Sequence, residues 1–385
     1  GAQIGIFALV IFGAVILSGF VVQFNEASES WVDDGSSTYS LVASGTIRDP
    51  IFPETTEDIL NSSNLVEGVA VLSYQSVNVY DLDQNWRKRP IRGVGSDILE
   101  TGAFPLAHWD TRFASSPEIA WSMVSSNSSY AIIEHNLFAP LVNEQGKPKV
   151  KLGGELFLEH RQDKTRNASV IVIGVLQPGA NWVANGVIIE NQLAETLFDA
   201  RPTRLLIQTN SDISSDELAE LQKVIESNVS DKGHDIEIIE DEIIQTQSIV
   251  LGILRVFKGY LGIGLLVGAA SLALVALRSV SERLRENGIF RAMGVQCSSL
   301  IWLHSLELVY IASIGFTIGS FSAVVFHMSL HDLYWSSEMR PLIIPWFHIA
   351  SIFTISLLIV IIMTFPPVLY SSKVEPANAL RMIEG

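Results

Sequence analysis

Four apolar runs separated by polar sequence constrain the fold of this chain more than any other feature. They cover residues 4–22, 259–277, 300–326 and 347–365, and the first, second and fourth contain no Asp, Glu, Lys or Arg. A helix of about 20 residues, rising 1.5 Å per residue, crosses the roughly 30 Å hydrocarbon core of a bilayer. Core helices of soluble proteins are usually shorter and have a polar face. We therefore predict four membrane-spanning helices.

The charged residues are concentrated between the first and second runs. Residues 24–245 contain 34 acidic and 16 basic side chains, whereas the rest of the chain contains 7 and 9. This segregation explains how a net charge of −16 coexists with a mean hydropathy of +0.33. The acidic segment is long enough to bury its own core, and it contains no cysteine. Its charge argues against nucleic acid as a partner.

The first run could instead be a secretory signal peptide. It lacks a basic start and a clear A-x-A cleavage site, and it is long for the apolar region of a signal. The sequence also begins without Met. We expect that it starts inside or just before a membrane helix, without its cytoplasmic lead-in, or that it is one half of a longer polypeptide.

Loop charge predicts the orientation, because short loops rich in Lys and Arg stay in the cytoplasm. Residues 278–291 carry four arginines, and the C-terminal tail carries Lys373 and Arg381. The loop 327–346 has one arginine against two acids. The sequence therefore places the 278–299 loop and the tail inside, and the acidic segment outside.

Four N-x-[ST] sequons fall in the segment placed outside. They are either chance matches in a Ser-rich sequence or glycosylation sites, depending on the host. The possible sites are Asn61, Asn127, Asn167 and Asn228.

Both ends of the acidic segment have a β-α-β pattern. At the first end, TYSLVASG and VEGVAVLSYQSVNVYDL predict strands around a short helix at 54–60. At the second, strands at 204–210 and 234–240 flank an amphipathic helix at 214–229. These are the halves of a split βαβ, or ferredoxin-like, layer, with a β-rich subdomain inserted between them. From Glu242 we predict one helix to Arg278, about 55 Å long, whose first turns form a stalk outside the bilayer.

No residue set in the chain predicts catalysis. The sequence has no G-x-x-x-x-G-K-[ST] loop, no G-x-S-x-G and no H-E-x-x-H. His327 and His331 lie four residues apart and could bind a metal on one helical face, but histidines at a membrane interface are more often simply interfacial. His108 and Asp110 are a weaker hint of the same kind. We assign no catalytic residue and no metal.

The third run contains the carboxylate of Glu307, whose cost in a membrane helix is about 2.5–3.5 kcal/mol at the bilayer centre. It is either an interfacial acid that reaches toward water or a contact between helices. G-x-x-x-G pairs in the second and third runs would let helices approach closely. These pairs are Gly264 with Gly268 and Gly315 with Gly319.

The segment 281–294, SERLRENGIFRAMG, resembles the hallmark E-R-x-R-E-x-G-x-x-R-A-x-G of FtsX-like, or MacB-like, permeases of ABC transporters. The matching residues are Glu282, Arg283, Arg285, Glu286, Gly288, Arg291, Ala292 and Gly294. The tail VEPANALR resembles the family ending P-x-x-A-L-R, and Glu307 falls where the family commonly has a Glu. The order of one span, a large outer domain and three spans also agrees. The resemblance implies a MacB-like outer domain.

In that family the loop between spans two and three meets a cytoplasmic ATPase. The resemblance therefore implies that 279–298 is an ATPase-coupling segment. Alternatively, its arginines only set the topology, although topology alone needs neither the acids nor the glycines. The resemblance also implies a second permease copy or half, ATP and Mg bound by the partner ATPase, and no cofactor in this chain. Membrane lipid and an extracytoplasmic protein are further expected partners.

The function that follows is the transmission of ATP-driven motion to the outer domain, for export or extraction of a lipoprotein, lipid, peptide or hydrophobic drug at a prokaryotic cell membrane. Two alternatives are an FtsX-type regulator of an extracytoplasmic hydrolase and a membrane-anchored enzyme.

The predicted segments are helix 1 (1–23), outer domain (24–245, with halves 24–82 and 201–241 and insert 83–200), stalk and helix 2 (246–278), coupling segment (279–298), helix 3 (299–327), outer loop (328–346), helix 4 (347–370) and tail (371–385).

Overall fold

The structure is a computed structural model that describes residues 2–36, 38–80, 86–138, 150–210, 212–229, 234–282, 289–290, 292–334 and 341–372. The chain divides into two compact units. One comprises Glu26–Ile249 and is called the outer unit after its predicted location. The other, the helical unit, is drawn from the N-terminal helix and the chain after residue 249.

Four long helices carry the apolar runs: α1 (Ala2–Ser36), α8 (Ile239–Glu282), α9 (Cys297–Tyr334) and α10 (Trp346–Ser372). Within the described residues, α1, α8 and α9 are long and apolar enough to cross a membrane, whereas the apolar stretch of α10, Trp346–Ile362, is shorter. The helical turns continue beyond the apolar runs in α1, which was expected to end at residue 23, and in α9, which was expected to end at residue 327.

The extension of α1 beyond residue 23 is amphipathic rather than apolar. Phe24, Ala27, Ser28 and Gly35 are buried at helical spacing, and the acids lie between them. Beyond residue 26 this face packs on the beginning of α8, which starts earlier than the predicted Glu242. A Cβ on Gly35 would lie 2.6 Å from the side chain of Ile243. Polar residues of this segment therefore form a helix because a neighbouring helix covers one face.

The ends of the outer segment form the predicted split βαβ layer. The strands β1 (Leu41–Ser44), β2 (Val66–Tyr80), β9 (Arg201–Thr209) and β10 (Asp235–Ile238) are ordered β10-β1-β9-β2, with every neighbouring pair antiparallel. The helices α2 (Pro53–Leu60) and α7 (Ser215–Val229) follow β1 and β9. They bury Ile59, Leu221 and Ile225 against the sheet.

The inserted strands continue this sheet rather than forming one of their own. They are β3 (Trp86–Val94), β4 (Leu106–Trp109), β5 (Tyr130–Ile133), β6 (Glu155–Glu159), β7 (Asn167–Leu176) and β8 (Val187–Glu190). The strand β2 is long enough to serve both parts, since Val66–Tyr74 pairs with β9 and Leu72–Tyr80 pairs with β3. The pairs β2–β3, β3–β8, β8–β5, β5–β7, β7–β6 and β6–β2 close a ring of six strands.

The ring has its own apolar core. Alternate residues of its strands, among them Val77, Ile133, Leu158 and Val172, are buried together. Short helices cover the sheet: α3 (Asp97–Glu100), α4 (Pro117–Ser126), α5 (His135–Phe138) and α6 (Asn191–Phe198). A separate cluster of α1, α9 and α10 side chains, including Phe7, Ile11 and Val360, forms the core of the helical unit.

Candidate functional site

The predicted coupling segment is only partly covered by the described residues. Glu282 is the last residue of α8, and Gly294 lies in a turn before α9. Outside the described residues are Arg283, Arg285, Glu286, Gly288 and Arg291. The tail residues Pro376, Ala379, Leu380 and Arg381 also lie outside them.

Gly294 ends a short helical stretch with a left-handed residue. Its φ is +93°, and the amide of Val295 donates to the carbonyl of Phe290 at 3.0 Å. This 6→1 bond is the mark of a Schellman motif, in which glycine occupies the left-handed position because it has no Cβ. The next helix begins at Cys297. Gly294 therefore lets the chain leave one helix and enter another within three residues.

The helical stretch before Gly294 presents apolar side chains to its surroundings. Ile289, Phe290 and Met293 are 41%, 42% and 67% exposed. Ile289 and Met293 are four residues apart, and the Met293 amide donates to the Ile289 carbonyl, so both lie on one helical face. Charged residues precede this apolar face in the sequence. The combination of an apolar centre and a charged margin is typical of protein–protein contacts.

The four glycines singled out in the sequence all face α1. A Cβ on Gly264 would lie 3.8 Å from Val10, and one on Gly268 would lie 3.8 Å from Phe7. The contacts from α9 are closer, because a Cβ on Gly315 would lie 3.0 Å from Phe7, and one on Gly319 would lie 2.4 Å from the Ala8 carbonyl oxygen. Phe7 thus lies between one glycine of α8 and one of α9.

A polar contact joins the other part of α1 to the segment before α10. Gln23 is fully buried. Its amide nitrogen donates to the carbonyl of Pro341 at 3.2 Å, and its amide oxygen accepts from the amide of Ile343 at 3.1 Å. The sequence analysis did not single out Gln23. The available signal was a lone amide directly after an apolar run.

His327 and His331 are buried in α9. His327 packs on Gly19, where a Cβ would lie 3.1 Å from the ring, and its Nε2 is 3.3 Å from the Ile343 carbonyl oxygen. His331 Nδ1 lies 3.7 Å from Asp332. Both histidines lie within α9, and His331 lies beyond residue 327, the predicted end of this helix. Glu307 is half-buried in α9.

Asp110 is engaged by an arginine in the outer unit. Its carboxylate accepts from the Arg112 side chain at 2.5 and 3.0 Å and from the Arg112 amide at 3.0 Å. These bonds hold the pKa of Asp110 below its ordinary value. His108 lies on β4, where partial burial lowers its pKa. Among the described residues no group of three or more His, Cys, Asp or Glu side chains could hold a metal ion.

The four sequon asparagines are all exposed in the outer unit. Asn61 follows α2 and Asn127 follows α4, whereas Asn167 begins β7 and Asn228 lies in the last turn of α7. Attachment of a glycan at these positions would require no unfolding of the core.

Comparison with known proteins relates both the C-terminal part and the whole chain to permeases. Residues 259–376 match the family model described as FtsX-like permease C-terminal. The chain is also similar to an uncharacterised ABC transporter permease of Methanocaldococcus jannaschii. Their identity is 22% over 399 residues, which cover 99% of this chain and 92% of the relative.

Two solved structures overlap the outer unit at low similarity. The periplasmic region of MacB from Actinobacillus actinomycetemcomitans covers 56% of this chain and 94% of its own, with 12% identity and a TM-score of 0.37. The extracellular domain of the noncanonic ABC-type transporter YknZ from Gram-positive bacteria covers 52% and 98%, with 14% identity and a TM-score of 0.33. These scores are too low to carry an argument. The match over residues 259–376 includes the motif at 281–294 and confirms its resemblance: this region is that of an FtsX-like permease, a membrane protein, and the whole chain is similar to an ABC transporter permease.

Proposed function

We propose that this permease transmits the motion of a cytoplasmic ATPase through the membrane to its outer domain, residues 26–249. The observation that carries the proposal is α8. It is one uninterrupted helix of 44 residues, about 66 Å long at 1.5 Å per residue. It begins directly after β10 and ends at Glu282, the first matching residue of the charged motif. A rigid element of this length is suited to transmitting a displacement.

The residues around the motif support docking of an ATPase there. Glu282, Glu286 and the arginines between them can pair with charges of both signs on a partner, which fixes orientation and register. The exposed side chains of Ile289, Phe290 and Met293 supply apolar area for the same contact. The Schellman turn at Gly294 connects this surface to α9, so that a displaced surface would move two helices.

Contacts at the start of α8 support its role as a lever. Gln247 is buried, and its amide nitrogen donates to the Ser28 carbonyl of α1 at 3.1 Å. Ile243 packs on Gly35 of the same helix. Two helices held by a hydrogen bond and by close packing bend less readily than one. In this scheme the first turns of α8 and the last turns of α1 form the stalk.

The complete assembly would contain two permease copies or halves and two ATPase subunits, which bind ATP and Mg. The outer domain would face away from the cytoplasm of a prokaryotic cell, and four helices would cross the membrane. The cargo would be a lipoprotein, lipid, peptide or hydrophobic drug taken from outside or from the outer leaflet. Work done on such a cargo by the outer domain requires no continuous pore.

The proposal is tested by reversing charge in the motif. The double substitution Arg283→Glu with Arg285→Glu replaces two cations with two anions, and we expect at least a 10-fold loss of ATPase co-purification with the permease. The matched control is Arg161→Glu with Lys164→Glu, two exposed cations of the outer unit, which should leave co-purification unchanged. Normal complex formation by the motif variant would refute docking at this segment.

A further inference from the structure

Arg92 is a buried cation with no carboxylate partner among the described residues. Arg92 lies on strand β3 of the outer unit and is 5% exposed. One terminal nitrogen donates to Asn185 at 2.8 Å, and the guanidinium lies 4.8 Å from the centre of the Tyr74 ring. Its Nε is buried without a hydrogen-bond partner. Across the described part of the chain, no Asp or Glu lies within 4.0 Å of Arg92.

The register of the sheet brings a second arginine to the same face. Arg92 is paired with Tyr74, and Arg204 is paired with Leu72, two residues earlier on the same strand β2. Directly paired residues, and residues two apart on a strand, point to one face of a sheet. Arg204 donates to the carbonyls of Trp182 and Val183, and no described carboxylate lies within 4.0 Å of it. Its charge is therefore not neutralised by a direct ion pair.

A cavity of about 520 Å³ opens beside these two arginines. The loop after β1 forms its rim, and this loop is held by a bond from the Gly45 amide to the Thr203 carbonyl at 2.8 Å. The rim brings a third, exposed cation, Arg48, to the cavity. The polar residues lining the cavity are Thr46, Arg48, Tyr74, Arg92, Thr203 and Arg204.

This arrangement is electrostatically unfavourable on its own. Burial and, to a smaller extent, repulsion from Arg204 lower the pKa of Arg92 to about 9. Glu242 interacts with Arg204 at longer range but is not within 4.0 Å of it. An unpaired buried charge is destabilising, and an anion in the cavity would offset that effect. Three cations around one cavity also contrast with the acidic segment that contains them, where acids outnumber bases 34 to 16.

We propose that this cavity is a binding site for a phosphate oxyanion, supplied by a small phosphorylated solute or by a lipid headgroup. The planar, multi-donor guanidinium groups of Arg48, Arg92 and Arg204 match the oxygens of phosphate. The cavity falls within the range of about 300–1,000 Å³ usual for small-ligand sites, so it holds a phosphate together with a small polar group. The site is independent of ATPase docking.

The test uses the full-length chain in detergent, titrated with inorganic phosphate and glycerol 3-phosphate at constant ionic strength, with acetate as the comparison anion. Binding is measured by calorimetry and by the rise in melting temperature. We expect Arg92→Lys and Arg48→Ala each to weaken phosphate binding at least 10-fold. Arg161 is an exposed arginine outside the cavity, and the Arg161→Ala variant should bind phosphate as the unaltered chain does. Arg48 is exposed, so its variant tests the site without disturbing the core.

The source of the phosphate is distinguished in nanodiscs. Phosphate affinity is compared in discs of phosphatidylcholine and in discs that also contain phosphatidylglycerol. If the unaltered chain binds phosphate more weakly in the second discs and Arg48→Ala shows no such difference, the site binds an anionic headgroup. If the unaltered chain binds phosphate equally well in both discs, the site binds a solute. If phosphate does not bind the unaltered chain, or if Arg48→Ala and Arg161→Ala bind equally well, the proposal is wrong.

Discussion

Single glycines determine how closely the membrane helices approach one another. At Gly319 the Ala8 carbonyl oxygen occupies the position that a side chain would need. At Gly262, which is also helical, no atom lies within 4 Å of a Cβ position. The same residue type therefore has different roles, and only the packing distinguishes a required glycine from a tolerated one.

We predict that Gly319→Ala destabilises the full chain, because the added methyl would lie 2.4 Å from a backbone oxygen that no rotamer change can move. Overpacking of this kind costs about 1–3 kcal/mol. Thermal unfolding in detergent is the measurement, and Gly262→Ala is the matched control, which should be neutral or more stable because alanine is the better helix former. Equal melting temperatures for both variants would contradict the close contact.

Local patterns and long-range contacts differ in what the sequence reveals. The G-x-x-x-G spacing is a local pattern, and it singled out the four glycines but could not identify α1 as their common neighbour. Arg92 and Arg204 are 112 positions apart in sequence, and only the pairing of β2 with both β3 and β9 brings them to one face. Contacts of this range depend on register, which no local pattern reveals.

At the scale of elements, helix ends were harder to predict than helix centres. The apolar runs located α1, α8, α9 and α10, because about 20 apolar residues are a strong signal. The continuation of α1 to Ser36 has an acidic composition that hid its amphipathic spacing. The ferredoxin-like strand order followed from two β-α-β patterns, whereas the ring of six strands did not, since the dual pairing of β2 is a property of the sheet.

The contact of Gln23 with residues 341–343 is an element-scale joint between α1 and the segment leading into α10. Gln23→Ala would leave the Ile343 amide and the Pro341 carbonyl without their side-chain partner. Each group that stays buried and unpaired would lower the free energy of unfolding by about 1–3 kcal/mol. We predict a lower melting temperature of the full chain in detergent. Gln23→Glu keeps the acceptor but loses the donor, so it should also be destabilising.

Gln192 is exposed on α6, and Gln192→Ala supplies the control, which should melt as the unaltered chain does. An unchanged melting temperature for Gln23→Ala would show that the joint contributes nothing to stability.

At the scale of the whole molecule, function depends on which side of the membrane each part occupies. The acidic unit and the coupling segment lie at opposite ends of α8 in the sequence, and the mechanism requires them to face opposite compartments. The arginines of 278–291 support a cytoplasmic coupling segment by the positive-inside rule. The net negative charge of the outer domain has no comparable influence, because acidic residues contribute little to topology.

Orientation can be measured with cysteines at two exposed positions in a Cys297→Ser background, which removes the sole native thiol. Asn127→Cys places a thiol on the outer unit, and Met293→Cys places one beside the coupling turn; both native residues are exposed. In sealed cells a membrane-impermeant maleimide should label Asn127→Cys at once and Met293→Cys only after permeabilisation. The cysteine-free background controls for labelling of other groups. Each cysteine is introduced in a separate variant of the same chain. If Met293→Cys is labelled in sealed cells as readily as Asn127→Cys, or more readily, the charged motif lies outside the cytoplasm. The ATP-driven mechanism would then be wrong.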